Sequence, residues 1–218
     1  EINLETKISF SSNNNFKIKN LNYITEGKIP YLEIHAEEKK IIKNYLPEFS
    51  SKIILKDTAI RLSNLKSKHT SEFNGLIKIK DKFNSFKVKE NHSYKKKYFN
   101  VSGMLNLTNS LVKIPELNYE KERGKKSNIK FDLKLLPKNY YNISKLNLLE
   151  NNTEIDLSNI KLNKDFEVDD LQKIKIKIFK NKVKNNDFLI KKSDKIIILG
   201  EIFDSQHLLK SLYKKSGK

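Results

Sequence analysis

The 218-residue sequence contains no cysteine and no tryptophan, and only six glycines and four prolines. Without cysteine, a disulfide scaffold, a cysteine-ligated zinc site and a cysteine nucleophile are excluded. The few glycines and prolines exclude collagen-like and flexible-linker sequence, while abundant Ile, Leu, Phe and Tyr argue against wholesale disorder. No apolar run approaches the roughly 18 residues of a membrane-spanning helix. The remaining possibility is a chain that buries a core in one or two domains.

Arginine is nearly absent, although the chain is strongly basic. Lys and Arg number 44 against 26 Asp and Glu, a formal net charge of +18, yet Arg occurs only at Arg61 and Arg123. Proteins that bind phosphate groups favour Arg, whose planar guanidinium contacts oxygens bidentately. The lysines are also spread along the whole chain, as on a solvated face, and do not form a cluster. We therefore expect no nucleic-acid partner.

Strict alternation of apolar residues with lysine or another polar residue is the dominant pattern. It occurs at 77–80, 86–89, 129–135 and 174–178. Because side chains alternate between the two faces of a strand, the apolar ones would share one face of a sheet and the lysines the other. Similar segments, separated by short polar turns, lie at 5–10, 16–24, 31–35, 52–63, 97–107, 110–119, 141–148, 153–163, 185–191 and 195–203. The close spacing predicts an antiparallel meander without parallel crossover units.

Two segments break the alternation with apolar residues at helical spacing. They predict short amphipathic helices at 37–46 and 205–214, each marginal unless it docks on the sheet. The predicted fold class is therefore mostly β: one long, curved antiparallel meander sheet with one or two short helices. Glycines inside the strand segments, at Gly75, Gly103 and Gly200, are typical of bends and close backbone approaches.

No motif indicates catalysis or metal binding. The segment 124–127 (Gly-Lys-Lys-Ser) lacks the spacing of a phosphate-binding loop and predicts a basic hairpin turn. The acidic residues at 165, 167 and 169 are spaced by two, so we expect them on the exposed face of a strand, paired with lysines. No G-x-S-x-G nucleophile elbow is present. We expect a protein that is not an enzyme and has no cofactor, catalytic residue or metal ligand.

Two stretches resemble a known family. The segment 101–117, which opens Val-Ser-Gly-Met-Leu-Asn-Leu, resembles the repeated strand units of AsmA-like proteins in the TamB–AsmA superfamily. The segment 200–209, Gly-Glu-Ile-Phe-Asp-Ser-Gln-His-Leu-Leu, resembles a junction in the YhdP-type, AsmA-like C-terminal regions of bacterial envelope proteins. The resemblance covers about residues 50–212. Together with a first residue that is not Met, it implies that 1–218 is one segment of a longer β-groove domain.

The resemblance implies a taco-shaped groove in the periplasm, held at the inner membrane by an anchor outside this segment. Such grooves are thought to carry phospholipid acyl chains toward the outer membrane, with outer-membrane components as further partners. An apolar face suits acyl chains, since each buried CH₂ contributes about 0.8 kcal/mol. The residues expected to line the groove are Ile77, Ile79, Phe86, Val88, Leu105, Leu107, Ile129, Phe131, Leu133, Ile174, Ile176 and Ile178.

Other interpretations stay open at this point. A one-sided apolar sheet must cover that face, and a second packed sheet or closure of the sheet on itself would serve as well as a ligand. Each lining residue is equally compatible with packed core. The chain could therefore be a structural or adhesive β-repeat module of the cell envelope, or a basic module that binds a polyanion.

Overall fold

The computed structural model describes residues 2–35, 40–66, 68–93, 98–136 and 140–204. These residues form one antiparallel sheet of twelve strands and a separate two-stranded hairpin. In chain order the strands are β1 (Asn3–Ser12), β2 (Ile18–His35), β3 (Lys52–Leu65), β4 (Lys68–Ile79), β5 (Lys82–Ser93), β6 (Tyr98–Asn106), β7 (Val112–Ile114), β8 (Tyr119–Lys121), β9 (Ser127–Leu136), β10 (Tyr140–Glu150), β11 (Thr153–Leu162), β12 (Val168–Lys180), β13 (Val183–Lys192) and β14 (Ile196–Ile202).

The strands follow one another across the large sheet in chain order, and the β7–β8 hairpin is inserted between β6 and β9. The predicted antiparallel meander is therefore confirmed. The sheet is open, because β1 and β14 form its two edges and pair only with β2 and β13 among the described strands.

Some predicted strand boundaries are wrong. Segment 31–35 and residues 18–24 of segment 16–24 belong to one 18-residue strand, β2, whereas residues 16 and 17 precede it. Segment 110–119 is not a strand of the large sheet, because a 3₁₀ turn at Pro115–Leu117 separates the two three-residue strands β7 and β8. Pro115 starts this turn, and Asn118 ends it in the left-handed conformation at φ 50°. Proline and asparagine at these positions reverse the chain and produce the hairpin.

One short helix, α1 (Lys40–Tyr45), connects β2 to β3 within the predicted range 37–46. It lies against β7, and Leu46 just after it packs on the hydrophobic core. The second predicted helix, 205–214, lies outside the described residues. In the part of the chain that the structure describes, no helix has the length and apolar character needed to cross a membrane.

The strand register gives the large sheet a polar face, because directly opposed residues of neighbouring strands point to the same side. One row on this face contains Glu5, Glu26, Arg61, Glu72, Lys89, Ser102, Asp132, Lys145, Ser158, Lys173, Lys191 and, on the edge strand, Ile197. Glu26 pairs with Arg61, and Lys89 Nζ lies 2.7 Å from Glu72. Water therefore solvates this face, and ion pairs cross it.

Glycines on the opposite, apolar face lie where neighbouring strands approach closely. A Cβ atom at Gly103 would lie 2.5 Å from the Lys87 carbonyl oxygen and 2.9 Å from Phe131 Cζ. At Gly75 a Cβ would lie 2.6 Å from Thr58 Cα. Real Cβ atoms do not come this close, so only glycine fits these positions. Both glycines therefore allow neighbouring strands to approach each other closely.

Candidate functional site: an apolar trough

Twelve residues, one from each strand of the large sheet, form an unbroken row across its apolar face. We call this set the central row. Successive register pairs join Leu4, Gly27, Ile60, Phe73, Val88, Gly103, Phe131, Leu146, Leu157, Ile174, Ile190 and Ile198. All are apolar side chains or glycines. The alternation seen within single strands is therefore aligned between strands into one continuous track.

The central row is long and partly open to solvent. Eleven inter-strand spacings of about 4.8 Å give it a length of about 50 Å. That is more than three times the thickness of one leaflet, about 15 Å of bilayer hydrocarbon. Leu4 and Ile198 at the two edges are 51% and 60% exposed, and Phe73, Val88 and Phe131 between them are partly exposed. An apolar surface of this length and continuity is typical of an interaction site.

The β7–β8 hairpin covers the apolar face at one end of the strands. We call this the capped end; it carries the β4–β5, β10–β11 and β12–β13 turns. Hairpin residues Val112 and Tyr119 belong to one buried cluster with the sheet residues Ile79, Leu107, Leu148, Ile155, Ile176, Ile178 and Phe188. The hairpin, which we call the plug, therefore covers this part of the apolar face. The uncovered part of the trough lies between the plug and the opposite end of the strands, which we call the open end.

Buried polar contacts anchor the plug from within. Lys121 is fully buried, and its Nζ donates hydrogen bonds to the carbonyl oxygens of Thr108 at 3.2 Å, Glu122 at 2.9 Å and Lys125 at 3.2 Å. Burial lowers the pKa of Lys121. The Tyr119 hydroxyl donates to Glu150 at 2.6 Å, and burial raises the pKa of Tyr119. These bonds compensate groups that would be costly to bury unpaired.

A carboxylate between α1 and β3 ties the plug to the rest of the sheet. Glu48 accepts hydrogen bonds from the Arg123 guanidinium, with Nε at 3.0 Å, and from the Leu111 N–H at 3.3 Å. Lys80 Nζ, in the β4–β5 turn, lies 3.5 Å away. The hydrogen bonds from Arg123 lower the pKa of Glu48. One side chain therefore connects both flanks of the hairpin to the sheet.

The register and the two-residue spacing place all twelve predicted lining residues on the apolar face, in two groups. Ile79, Phe86, Leu107, Ile176 and Ile178 are buried; Ile79, Leu107, Ile176 and Ile178 form part of the core that includes the plug. The partly exposed group is Ile77, Val88, Leu105, Ile129, Phe131, Leu133 and Ile174. The buried group has little surface left for a ligand, so we expect the second group to make most contacts with one.

Several residues of the trough were missed by the sequence prediction, among them Leu146 and Leu157. Both lie in segments predicted as strands, but their alternation is interrupted. The register shifts between Ile143 and Lys145, and Asn159 has a positive φ of 50°. Each irregularity moves the apolar positions from a spacing of two to a spacing of three. The paired register, which the sequence does not display, restores them to one face.

The structure also shows where the glycine-lysine segment 124–127 and the acidic residues 165 and 167 lie. Gly124, at φ 84°, lies in the turn between β8 and β9, as predicted. The strand expected for Asp165 and Glu167 is wrong, because both lie in the β11–β12 turn that Asn163 closes by accepting their backbone N–H groups at 2.9 and 3.0 Å. The described residues contain no group of three His, Asp or Glu side chains placed to hold a metal ion.

Comparison with models of protein families found no match. Comparisons with curated proteins and with solved structures found none either. A function must therefore be inferred from the geometry of the trough and from the chemistry of the side chains that line it.

Proposed function

We propose that the chain is a non-enzymatic, hydrophobic-groove segment of the bacterial periplasm that carries phospholipid acyl chains between the inner and outer membranes. The observation that supports this most strongly is the central row, apolar in all twelve strands from Leu4 to Ile198. A closed core needs apolar residues only where the chain covers them, but here the row continues to both exposed edges.

The proposed mechanism is passive sliding of acyl chains along the apolar face. Each CH₂ transferred from water gains about 0.8 kcal/mol, and that gain is similar at every point of a continuous track. A lipid therefore meets no large barrier between adjacent strands. Val88, Phe131 and Ile174 would contact the acyl chain, while the polar face stays in water. No covalent step is required.

The proposal extends to the surroundings of the chain. An anchor outside this segment would hold it at the inner membrane, and the groove would reach toward outer-membrane components. Both edges of the sheet, β1 and β14, end the described sheet with the central row still apolar. Further strands of the same kind would lengthen the track without interrupting it.

A pair of aspartate variants tests the proposal. Val88→Asp places a short charged side chain in the central row, and Met104→Asp places the same group on the polar face of the adjacent strand, where Met104 is 39% exposed. Aspartate is chosen because its side chain is too short to carry the charge out to water. The measurement is the rate at which the protein extracts a fluorescent phospholipid from vesicles.

We expect Val88→Asp to slow extraction about tenfold or more, since an unpaired charge beside an acyl chain is costly. Met104→Asp should extract lipid at the wild-type rate. If both variants match wild type, or if wild type extracts no lipid while its fold is intact, the proposal is wrong. The latter result would favour the alternative of a structural or adhesive envelope module, for which the packed core under the hairpin is an argument.

A further inference from the structure

A polar patch lies on the apolar face of β3, β4 and β5, near the open end. Two further rows run parallel to the central row on that side. Ser71 lies directly opposite Glu90 in the first, and Asn64, His69 and His92 are successive partners in the second. On β6 and β9 the same rows return to apolar residues, Val101 and Leu133 in the first, then Phe99 and Leu135 in the second. In these two rows the carboxylate and the imidazoles are thus confined to β4 and β5.

The charge character of this patch is unusual for the chain. Across these rows and the central row, Glu90 provides the only carboxylate and His69 and His92 the only imidazoles, and none of the paired residues is a lysine or an arginine. The neighbouring Glu72 and Lys89 lie on the polar face and pair with each other at 2.7 Å. In a protein with 44 Lys and Arg, these three rows therefore contain one carboxylate, two imidazoles and no lysine.

The geometry brings these groups into one small area. The ring centroids of His69 and His92 are 6.4 Å apart, and His92 lies 5.9 Å from the Phe99 ring. Glu90 is two residues from His92 on the same strand and therefore on the same face. Both rings, Ser71 and Glu90 are partly exposed, so a ligand in the trough can reach them.

Asn64 provides an independent indication of a ligand. Its side chain is directly opposite His69 and is only 8% exposed. The amide nitrogen donates to the Leu21 carbonyl oxygen at 2.7 Å, but Oδ1 has no hydrogen-bond partner among the described residues. A buried acceptor left without a donor is costly. A ligand that brings an N–H donor to this position would remove that cost.

We propose that this patch binds the headgroup of a zwitterionic phospholipid, one that carries both a phosphate and a primary ammonium. Glu90 and Asn64 Oδ1 accept hydrogen bonds from the ammonium, and His69 and His92 donate to the phosphate oxygens. A simple anion would be repelled by Glu90, and a simple cation finds no second carboxylate; a headgroup with both charges satisfies both kinds of partner. This inference rests on the proposed function, because the acyl chain of the same lipid would lie along Phe73 and Val88.

The test compares three ligands with the same acyl chain: lysophosphatidylethanolamine, lysophosphatidylglycerol and the monoacylglycerol. Each displaces a neutral naphthylamine dye that fluoresces in apolar surroundings. We expect wild type to prefer lysophosphatidylethanolamine over both others about tenfold. Glu90→Gln should abolish the preference over lysophosphatidylglycerol, and His92→Gln should weaken the preference over the monoacylglycerol. Matched controls are Glu72→Gln on the polar face and His35→Gln at the exposed end of β2.

Dye binding by each variant shows that its trough is intact, so a misfolded variant cannot be mistaken for a selective one. If all three ligands displace the dye equally from wild type, or if Glu90→Gln keeps the wild-type preference, the headgroup site is wrong while acyl binding stands. If wild type binds neither dye nor lipid, the proposed function fails and the headgroup site fails with it.

Discussion

At the scale of single residues, the trough requires glycine at some positions as well as apolar side chains at others. Gly103 is in the central row and touches Lys87 and Phe131 so closely that a methyl group does not fit. Phe131 fills part of the space over the glycine with its ring, so the row stays apolar where it has no side chain of its own. The close approach of the strands and the continuity of the central row therefore depend on the same position.

Replacing Gly103 with valine should destabilise the sheet. The new side chain must displace the Lys87 carbonyl or the Phe131 ring, and overpacking of this kind costs about 1–3 kcal/mol in the free energy of unfolding. Met104→Val is the matched control, since it puts the same residue into β6 on the polar face, where Met104 is partly exposed. Urea unfolding followed by circular dichroism measures both. Equal stability of the two variants would contradict a close approach at Gly103.

At the scale of elements, the alternation of apolar and polar residues predicted most strands, because a strand with one buried face has an apolar residue at every second position. It failed where the backbone departs from a regular strand. Asn159, with its positive φ, shifts the face within one strand, and Pro115 turns an apolar segment into a hairpin. Short-range pattern carries no information about which face the hairpin covers, since that depends on contacts with distant residues such as Ile178 and Phe188.

The plug should be sensitive to acid through Glu48. Its pKa is lowered in the folded state by the hydrogen bonds from Arg123. A carboxylate with a lowered folded pKa stabilises the protein fully above its unfolded pKa, about 4.3, and loses this contribution as the pH falls through the folded value. Glu48→Gln should therefore lower the free energy of unfolding by about 1–3 kcal/mol at pH 7, and the difference from wild type should shrink toward pH 3.

Thermal unfolding at a series of pH values measures this difference. Glu116→Gln serves as the control, because Glu116 is exposed and accepts a long hydrogen bond of 3.4 Å from the Tyr45 hydroxyl. Its effect should stay within about 0.5 kcal/mol at every pH. A Glu48→Gln deficit that is the same at pH 7 and pH 3 would mean that the carboxylate charge does not anchor the hairpin.

At the scale of the whole molecule, the fold class follows from the sequence, whereas the trough does not. Alternating strands of this kind also suit two packed sheets, and the choice depends on whether another layer covers the apolar face. In the described chain that layer is the β7–β8 hairpin at the capped end, with Leu46 packed beside it. The polar patch could not be predicted from the sequence for a similar reason. Asn64, His69 and Glu90 lie on three different strands, and only the pairing of those strands brings them together.

The most direct test of the account is native mass spectrometry of the protein purified from membranes under mild conditions. The apolar trough predicts a folded species that carries bound phospholipid, and collisional activation should release that lipid intact. A folded protein whose mass equals that of the bare chain, even after incubation with phospholipid vesicles, would contradict the claim that the central row is a surface for acyl chains.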